Sequence, residues 1–282
     1  MPDFPIVDAH VHLWDPDYFP MPWLAGNPLL EQRYTLPEYH QHTAGVEIEA
    51  MVYVQVDVAP AYALAEARWV AAQAHDDPRI RGIVAFAPVD DGEHLRSYLD
   101  ALIATTPLVR GVRRIVQGEP DAGWLTDDFV RGVQILAEYD LSFDLCVGHH
   151  QLPQAIELVQ RCPDTWFMLD HIAKPDIAQG LLEPWREHMA ALAALPNVLC
   201  KVSGMVTEVG SAWTEADLAP YLAHVLKVFG KGRVAFGGDW PVALLASAYP
   251  RWVATLDALT AQLSPAAQRM LWADNATRFY RL

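Results

Sequence analysis

Ile6-Val7-Asp8-Ala9-His10-Val11-His12 opens the chain as a short apolar run that ends in two histidines one residue apart. In an extended strand side chains alternate with a period of two, so Asp8, His10 and His12 share one face and Val7, Ala9 and Val11 the other. Two imidazoles at i and i+2 at a strand end reach one ion or one oxygen without distorting the backbone. A His-x-His pair can equally be surface decoration. This one stands apart because it closes an apolar strand.

Seven further apolar runs follow, at 50–56, 82–89, 109–116, 141–147, 166–172, 198–202 and 234–238. Most are continuous rather than alternating, as parallel strands covered on both faces are. Helical patterns separate them, at 61–74, 92–105, 127–139, 152–161, 181–195 and 215–229, and two more at 252–263 and 265–282 close the chain. Thr126, Thr214 and Ser264 stand where N-caps belong, with Pro265 at a first helical position. Strand and helix alternating eight times predict a single (β/α)8 barrel over 1–282 rather than an open doubly wound sheet. No GxGxxG follows the first strand, which leaves a dinucleotide-binding variant without support. One connection is unusual. Residues 14–45 carry Trp14, Tyr18, Phe19, Trp23 and Tyr34 with Pro16, Pro20, Pro22 and Pro28, and one short helix is predicted at 35–43. Loops after barrel strands face the active end, so this insert is expected near the barrel mouth; the alternative is packing on the outer surface or on a neighbouring subunit.

The chain has 282 residues, 52% of them hydrophobic, enough for one large core. Twenty basic against 35 acidic residues leave a net charge of −15, which disfavours nucleic acid or an anionic membrane as partner. Cys146, Cys162 and Cys200 are odd in number and widely spaced, as reduced intracellular thiols are. The N-terminus has no signal-peptide pattern and no apolar run is long enough to span a bilayer. A cytoplasmic enzyme, monomer or homodimer, acting on a small molecule is the expectation.

In a barrel, polar residues at the C-terminal strand ends converge. They are His10 and His12, Gln55, Arg113 and Arg114, Asp144 with His149 and His150, Asp170-His171 and Lys174, Lys201 and Ser203, and Asp239-Trp240. Barrel interiors are normally filled by branched apolar side chains, so this collection points to a site. Structural readings compete. Gln55 or Ser203 could satisfy strand-end backbone, Arg113 and Asp144 could pair across adjacent strands, and Lys174 before Pro175 could be a surface residue entering a helix. At most one of His149 and His150 is expected to reach the site. His171 and Asp239 are hardest to explain without a task, because burying either is costly.

His10-Val11-His12, His171 and Asp239 resemble the amidohydrolase superfamily of metal-dependent barrel hydrolases. Asp-Ala-His-Val-His-Leu-Trp-Asp, Val-Tyr-Val-Gln, Gly-Val-Arg, Leu-Asp-His-Ile-Ala-Lys-Pro, Lys-Val-Ser-Gly, Gly-Gly-Asp-Trp-Pro and the late Asp-Asn-Ala resemble its sugar-lactonase branch, the L-fuconolactonase group. The resemblance implies hydrolysis of an aldonolactone ester. Asp239 would act as general base and then acid, and His171 and His12 would polarise the carbonyl. Gln55, Arg113, Asp144, Lys174, Ser203, Trp240, Trp14 and His149 would contact substrate. It also implies one Zn²⁺ or Mn²⁺ on His10, His12, His171 and Asp239, although members of the branch work without metal. Where many superfamily members hold two metals through a lysine on strand four and a histidine on strand five, this chain has Arg113 and Asp144. A guanidinium neither ligates nor is carbamylated, which argues against a binuclear site. A dicarboxylate lactonase, a metal-dependent decarboxylase and a non-catalytic sugar-binding barrel are the alternatives.

Overall fold

The computed structural model describes residues 1–120 and 123–282. Within them eight parallel strands form one sheet in sequence order: β1 (Ile6–Val11), β2 (Ile48–Val54), β3 (Ile80–Ala85), β4 (Val109–Ile115), β5 (Ser142–Cys146), β6 (Phe167–Leu169), β7 (Val198–Val202) and β8 (Val234–Phe236). The sheet curls back on itself. Val11 bridges Trp240 in parallel, His12 N donates to the Trp240 carbonyl and Asp239 N to the His10 carbonyl, each at 2.8 Å. After the strands come α1 (Leu36–His42), α2 (Ala63–Asp76), α3 (Leu95–Ile103), α4 (Asp127–Glu138), α5 (Leu152–Arg161), α6 (Trp185–Ala193), α7 (Glu215–Phe229) and α8 (Tyr249–Thr260). The chain is a single-domain (β/α)8 barrel. Among the described residues no helix is long and apolar enough to cross a membrane.

Local chemistry sets the boundaries. Thr126 Oγ1 accepts from Phe129 N at the start of α4, and Ser264 Oγ from Ala267 N at the start of α9 (Pro265–Arg269). Thr35–Glu38 and Thr214–Asp217 form capping boxes. Gly132 lets α4 press against the loop after β3, because a Cβ there would collide with the Val89 carbonyl. The run at 82–89 pairs only to Ala85, and Pro88 has no amide with which to extend it. The helix expected over 181–195 starts at Trp185, since Glu183 precedes Pro184 and is biased away from helical angles. The helix expected over 265–282 is three pieces: α9, a π-helical stretch at Met270–Asp274, and α10 (Asn275–Tyr280).

Two apolar layers result. The larger lies between strands and helices. The smaller lies inside the barrel, where Val7, Ala9, Val52, Val54, Val84, Met168, Leu199 and Ala235 meet Ala276, Phe279 and Tyr280 of α10. The last helix thus plugs the end of the barrel where the strands begin, which leaves their C-terminal ends open.

Candidate active site

Pairing along β1 is irregular between Asp8 and Val11, which breaks the strict alternation expected there. Asp8 is drawn to the outer layer, accepting from Gly238 N at 2.7 Å, His10 N at 3.0 Å and Tyr249 Oη at 2.8 Å. It does not join the two histidines. Those turn inward, with His10 Nε2 and His12 Nε2 3.2 Å apart. His12 Nδ1 lies 2.7 Å from the Val54 carbonyl, and His10 Nδ1 3.3 Å from Asp170 Oδ1. Asp239 Oδ1 completes the group, 3.5 Å from His12 Nε2 and 3.8 Å from His10 Nε2.

After β6 the backbone does something rare for side chains with a Cβ. His171, Ile172, Ala173 and Lys174 all have positive φ, between 46° and 60°. Each such residue costs about 1–2 kcal/mol, so the turn persists only where its surroundings hold it. Lys174 N bonds the His171 carbonyl at 2.9 Å and Trp185 Nε1 the Ile172 carbonyl at 2.8 Å. Gly204 leaves room, since a Cβ there would sit 2.6 Å from His171 Nδ1. That nitrogen meets Ser203 Oγ at 2.9 Å. The left-handed turn presents His171 and Lys174 to one cavity. Asp57 and Asp239, also at positive φ, border it too.

Beneath the histidines lies a buried ionic cluster. Lys201 Nζ is 2.5 Å from Asp144 Oδ2, 3.1 Å from Asp170 Oδ1 and 3.2 Å from His10 Nδ1. Arg113 donates to Asp170 Oδ2 at 3.1 Å and to the Gln55 carbonyl at 2.6 Å, and its Nη1 lies 3.3 Å from His10 Nε2. Tyr280 Oη reaches up from α10 to Asp144 Oδ2 at 2.7 Å. Burial lowers the His10 and His12 rings and takes His171 down to about 4. Burial alone would raise Asp239, but His171, His12 and His10 outweigh it and hold the carboxyl well below the usual range. Asp170 is held down likewise, by Lys201, His10 and Arg113 against burial, whereas burial lifts Asp144 to about 6 despite Lys201.

Above the cluster opens a cavity of about 290 Å³. Among the described residues its wall includes His12, Trp14, Arg113, Lys174, His171 and Asp239 from the expected set. The other expected substrate contacts do not border it. Gln55 is buried, its carbonyl taken by Arg113 and its Oε1 by the amide of Asp57. Asp144 is held between Lys201 and Tyr280, so neither pairing with Arg113 nor a substrate contact describes it. Ser203 backs His171, and His149 Nδ1 meets the Lys174 carbonyl at 2.9 Å. Trp240 packs against Tyr34 and Tyr39 and donates to His42 Nδ1 at 2.9 Å. Val56, Asp57, Ile115, Gln117, Cys146 and Val242 line the cavity without having been expected there, and Trp23 lines it from the insert expected near the mouth. Trp23 comes from the long insert and is pinned to β2 by Nε1 donating to the Val56 carbonyl at 2.8 Å. The cluster did leave a signal: Lys201 stands in a continuous apolar strand, and a lysine buried there needs acidic partners.

The donor set suits a divalent ion. His10, His12 and Asp239 offer ligand atoms within 4.8 Å of one another, and His10, Asp170 and His171 form a second such group. His12 Nδ1 faces a carbonyl and His10 Nδ1 a carboxylate, so their protons belong on those atoms and both Nε2 lone pairs converge beside Asp239. His171 shares His10 with this set but turns its Nδ1 to Ser203, 3.9 Å from Asp239 Oδ2.

A parallel eight-stranded barrel with imidazoles and a carboxylate gathered at the C-terminal rim defines a barrel enzyme of the hydrolytic kind. The chain belongs to the amidohydrolase family, whose model matches residues 7–282. It is 32% identical to an L-fucono-1,5-lactonase of Burkholderia multivorans over 98% of this chain and 96% of that protein. It is 36% identical to an L-fucono-1,5-lactonase of Burkholderia ambifaria over an alignment that spans 64% of each. A solved Burkholderia multivorans amidohydrolase with bound zinc superposes with a TM-score of 0.89 at 31% identity, covering 99% of this chain and 100% of that one.

Proposed function

We propose that this chain opens the ester bond of a sugar lactone, an aldonolactone such as L-fucono- or L-rhamnono-lactone. One observation carries the reading: a buried carboxylate, Asp239, held below its usual range, stands on the wall of a lactone-sized cavity with three imidazoles within 4 Å. A lactone carbonyl is an activated ester and needs only a water nucleophile, a polarised oxygen and a proton for the departing ring oxygen. Asp239 takes the proton from water as the water oxygen attacks the carbonyl carbon. With Ser203 donating to its Nδ1, His171 carries its proton on Nε2 and donates to the developing oxyanion, with Arg113 adding positive potential beside it. Collapse breaks the ring C–O bond, Asp239 returns its proton to the alkoxide, and a hydroxy acid leaves. A divalent ion held by His10, His12 and Asp239 would supply Lewis acidity at the same oxygen. Trp14 and Trp23 stack edge-to-face, ring centroids 5.5 Å apart, and wall the apolar side.

A dicarboxylate lactone is the second reading, favoured by Arg113 and Lys174 on the wall. Both cations already have partners, Asp170 and Glu208 (3.5 Å). The test is a pH-indicator screen of aldonolactones, muconolactone and a pyrone dicarboxylate before and after chelation. Turnover of aldonolactones is expected. Turnover of the dicarboxylate alone would reject the proposal, and a chelated enzyme restored only by Zn²⁺ or Mn²⁺ would assign the ion an essential part.

A further inference from the structure

Asp57 borders the cavity but has no part in the steps above. It follows β2 at φ 55°, a left-handed conformation held by its amide donating to Gln55 Oε1. Its carboxylate makes no hydrogen bond or ion pair with the described residues, and the cations acting on it, Arg113 and Arg114, are engaged with Asp170, Asp90 and Glu119. Beside it Trp23 offers an indole face fixed by its bond to the Val56 carbonyl. Gln117 also lines the cavity; its Oε1 accepts from the Cys146 thiol at 3.3 Å, and its amide hydrogens have no partner among the described residues.

We propose that Asp57 determines specificity in this site by accepting hydrogen bonds from two adjacent hydroxyls of a neutral, polyhydroxylated lactone. A carboxylate only accepts, and its two oxygens match the spacing of a vicinal diol, whose two O–H groups both donate. The indole of Trp23 covers the apolar C–H face of the same ring, and the Gln117 amide donates to a third oxygen. The same unpaired charge repels a lactone that carries a carboxylate or sulfonate of its own. This rests on the lactonase reading and narrows its substrate class to uncharged polyol rings.

Two variants separate charge from shape. Asp57→Asn keeps the size and tolerates the left-handed backbone, and Asp57→Gly removes the group where φ suits glycine. Steady-state kinetics of the full chain with L-fucono-1,5-lactone should show KM up about tenfold in the asparagine variant and more in the glycine variant, with kcat within threefold. Turnover of muconolactone relative to the aldonolactone should rise in both. Melting temperatures report whether the variants fold, and Asp57→Asn alone decides the matter if the glycine variant does not. Variants whose KM stays within twofold, or whose kcat falls as far as kcat/KM, would overturn the role of Asp57 while leaving the lactonase reading intact. A wild-type enzyme that opens muconolactone but no aldonolactone would overturn both.

Discussion

Asp239 combines three properties that rarely coincide: burial, a positive φ of 53° and three imidazoles close by. An Asp239→Asn substitution keeps its size and removes the proton acceptor. Turnover is expected to fall by roughly 10²–10⁴, the usual contribution of a positioned acid–base group. The melting temperature should fall modestly, because a carboxyl held below its usual range stabilises the fold in its charged form and the amide lacks that contribution. Initial rates on an aldonolactone decide it; an asparagine enzyme within threefold of wild type would take Asp239 out of the chemistry. At this scale the sequence was informative where a polar side chain ended an apolar strand, as at His12, Arg113, His171 and Asp239. It was silent on Asp57, which owes its position to a left-handed turn that no periodicity records, and it placed Trp23 only as part of an insert near the mouth, since the hydrogen bond that pins the indole leaves no pattern. It misdirected at Asp144, whose place on a strand does not reveal that Lys201 and Tyr280 already occupy it.

Among the elements, α2 shows how a helix positions the site wall. Glu66 on α2 is buried, and its Oε1 accepts from both Tyr53 Oη and Val56 N at 2.7 Å, tying the helix to β2 and to the loop that carries Asp57. Burial raises its pKa from 4.5 to about 7, against those two hydrogen bonds. The folded state therefore holds a proton that the unfolded state has released, and stability falls as pH rises from about 4.5 through about 7. The full effect is about 3 kcal/mol. Glu66→Gln keeps the acceptor and cannot ionise. Urea midpoints should show wild type losing ground to the variant between pH 5 and pH 8, and a pH-independent difference would place the shift elsewhere. Elements themselves were legible because continuous apolar runs mark doubly covered strands. Their ends were less so: β6 is three residues long because the left-handed turn interrupts it, and the π-helical stretch shares its residue types with an ordinary helix.

For the whole molecule, the last helix is both plug and tether. Tyr280, two residues from the C-terminus, reaches the ionic cluster through Asp144. Tyr280→Phe removes one hydrogen bond to a charged group, and unfolding free energy should drop by about 1.5–3 kcal/mol. Denaturant titration checks this; an unchanged midpoint would mean Asp144 is satisfied by Lys201 alone. The barrel closes where β1 meets β8, by His12 N to the Trp240 carbonyl and Asp239 N to the His10 carbonyl, with Gly238 N on Asp8 joining residues 230 apart. Those bonds are the last stitches of a cylinder whose two margins lie at opposite ends of the chain. The residues stitched are also those that assemble the reactive group, so zipping the cylinder and arming it are one event. A nascent chain still missing its eighth stave holds three histidines and no base, and catalysis itself becomes a reporter that the seam has shut.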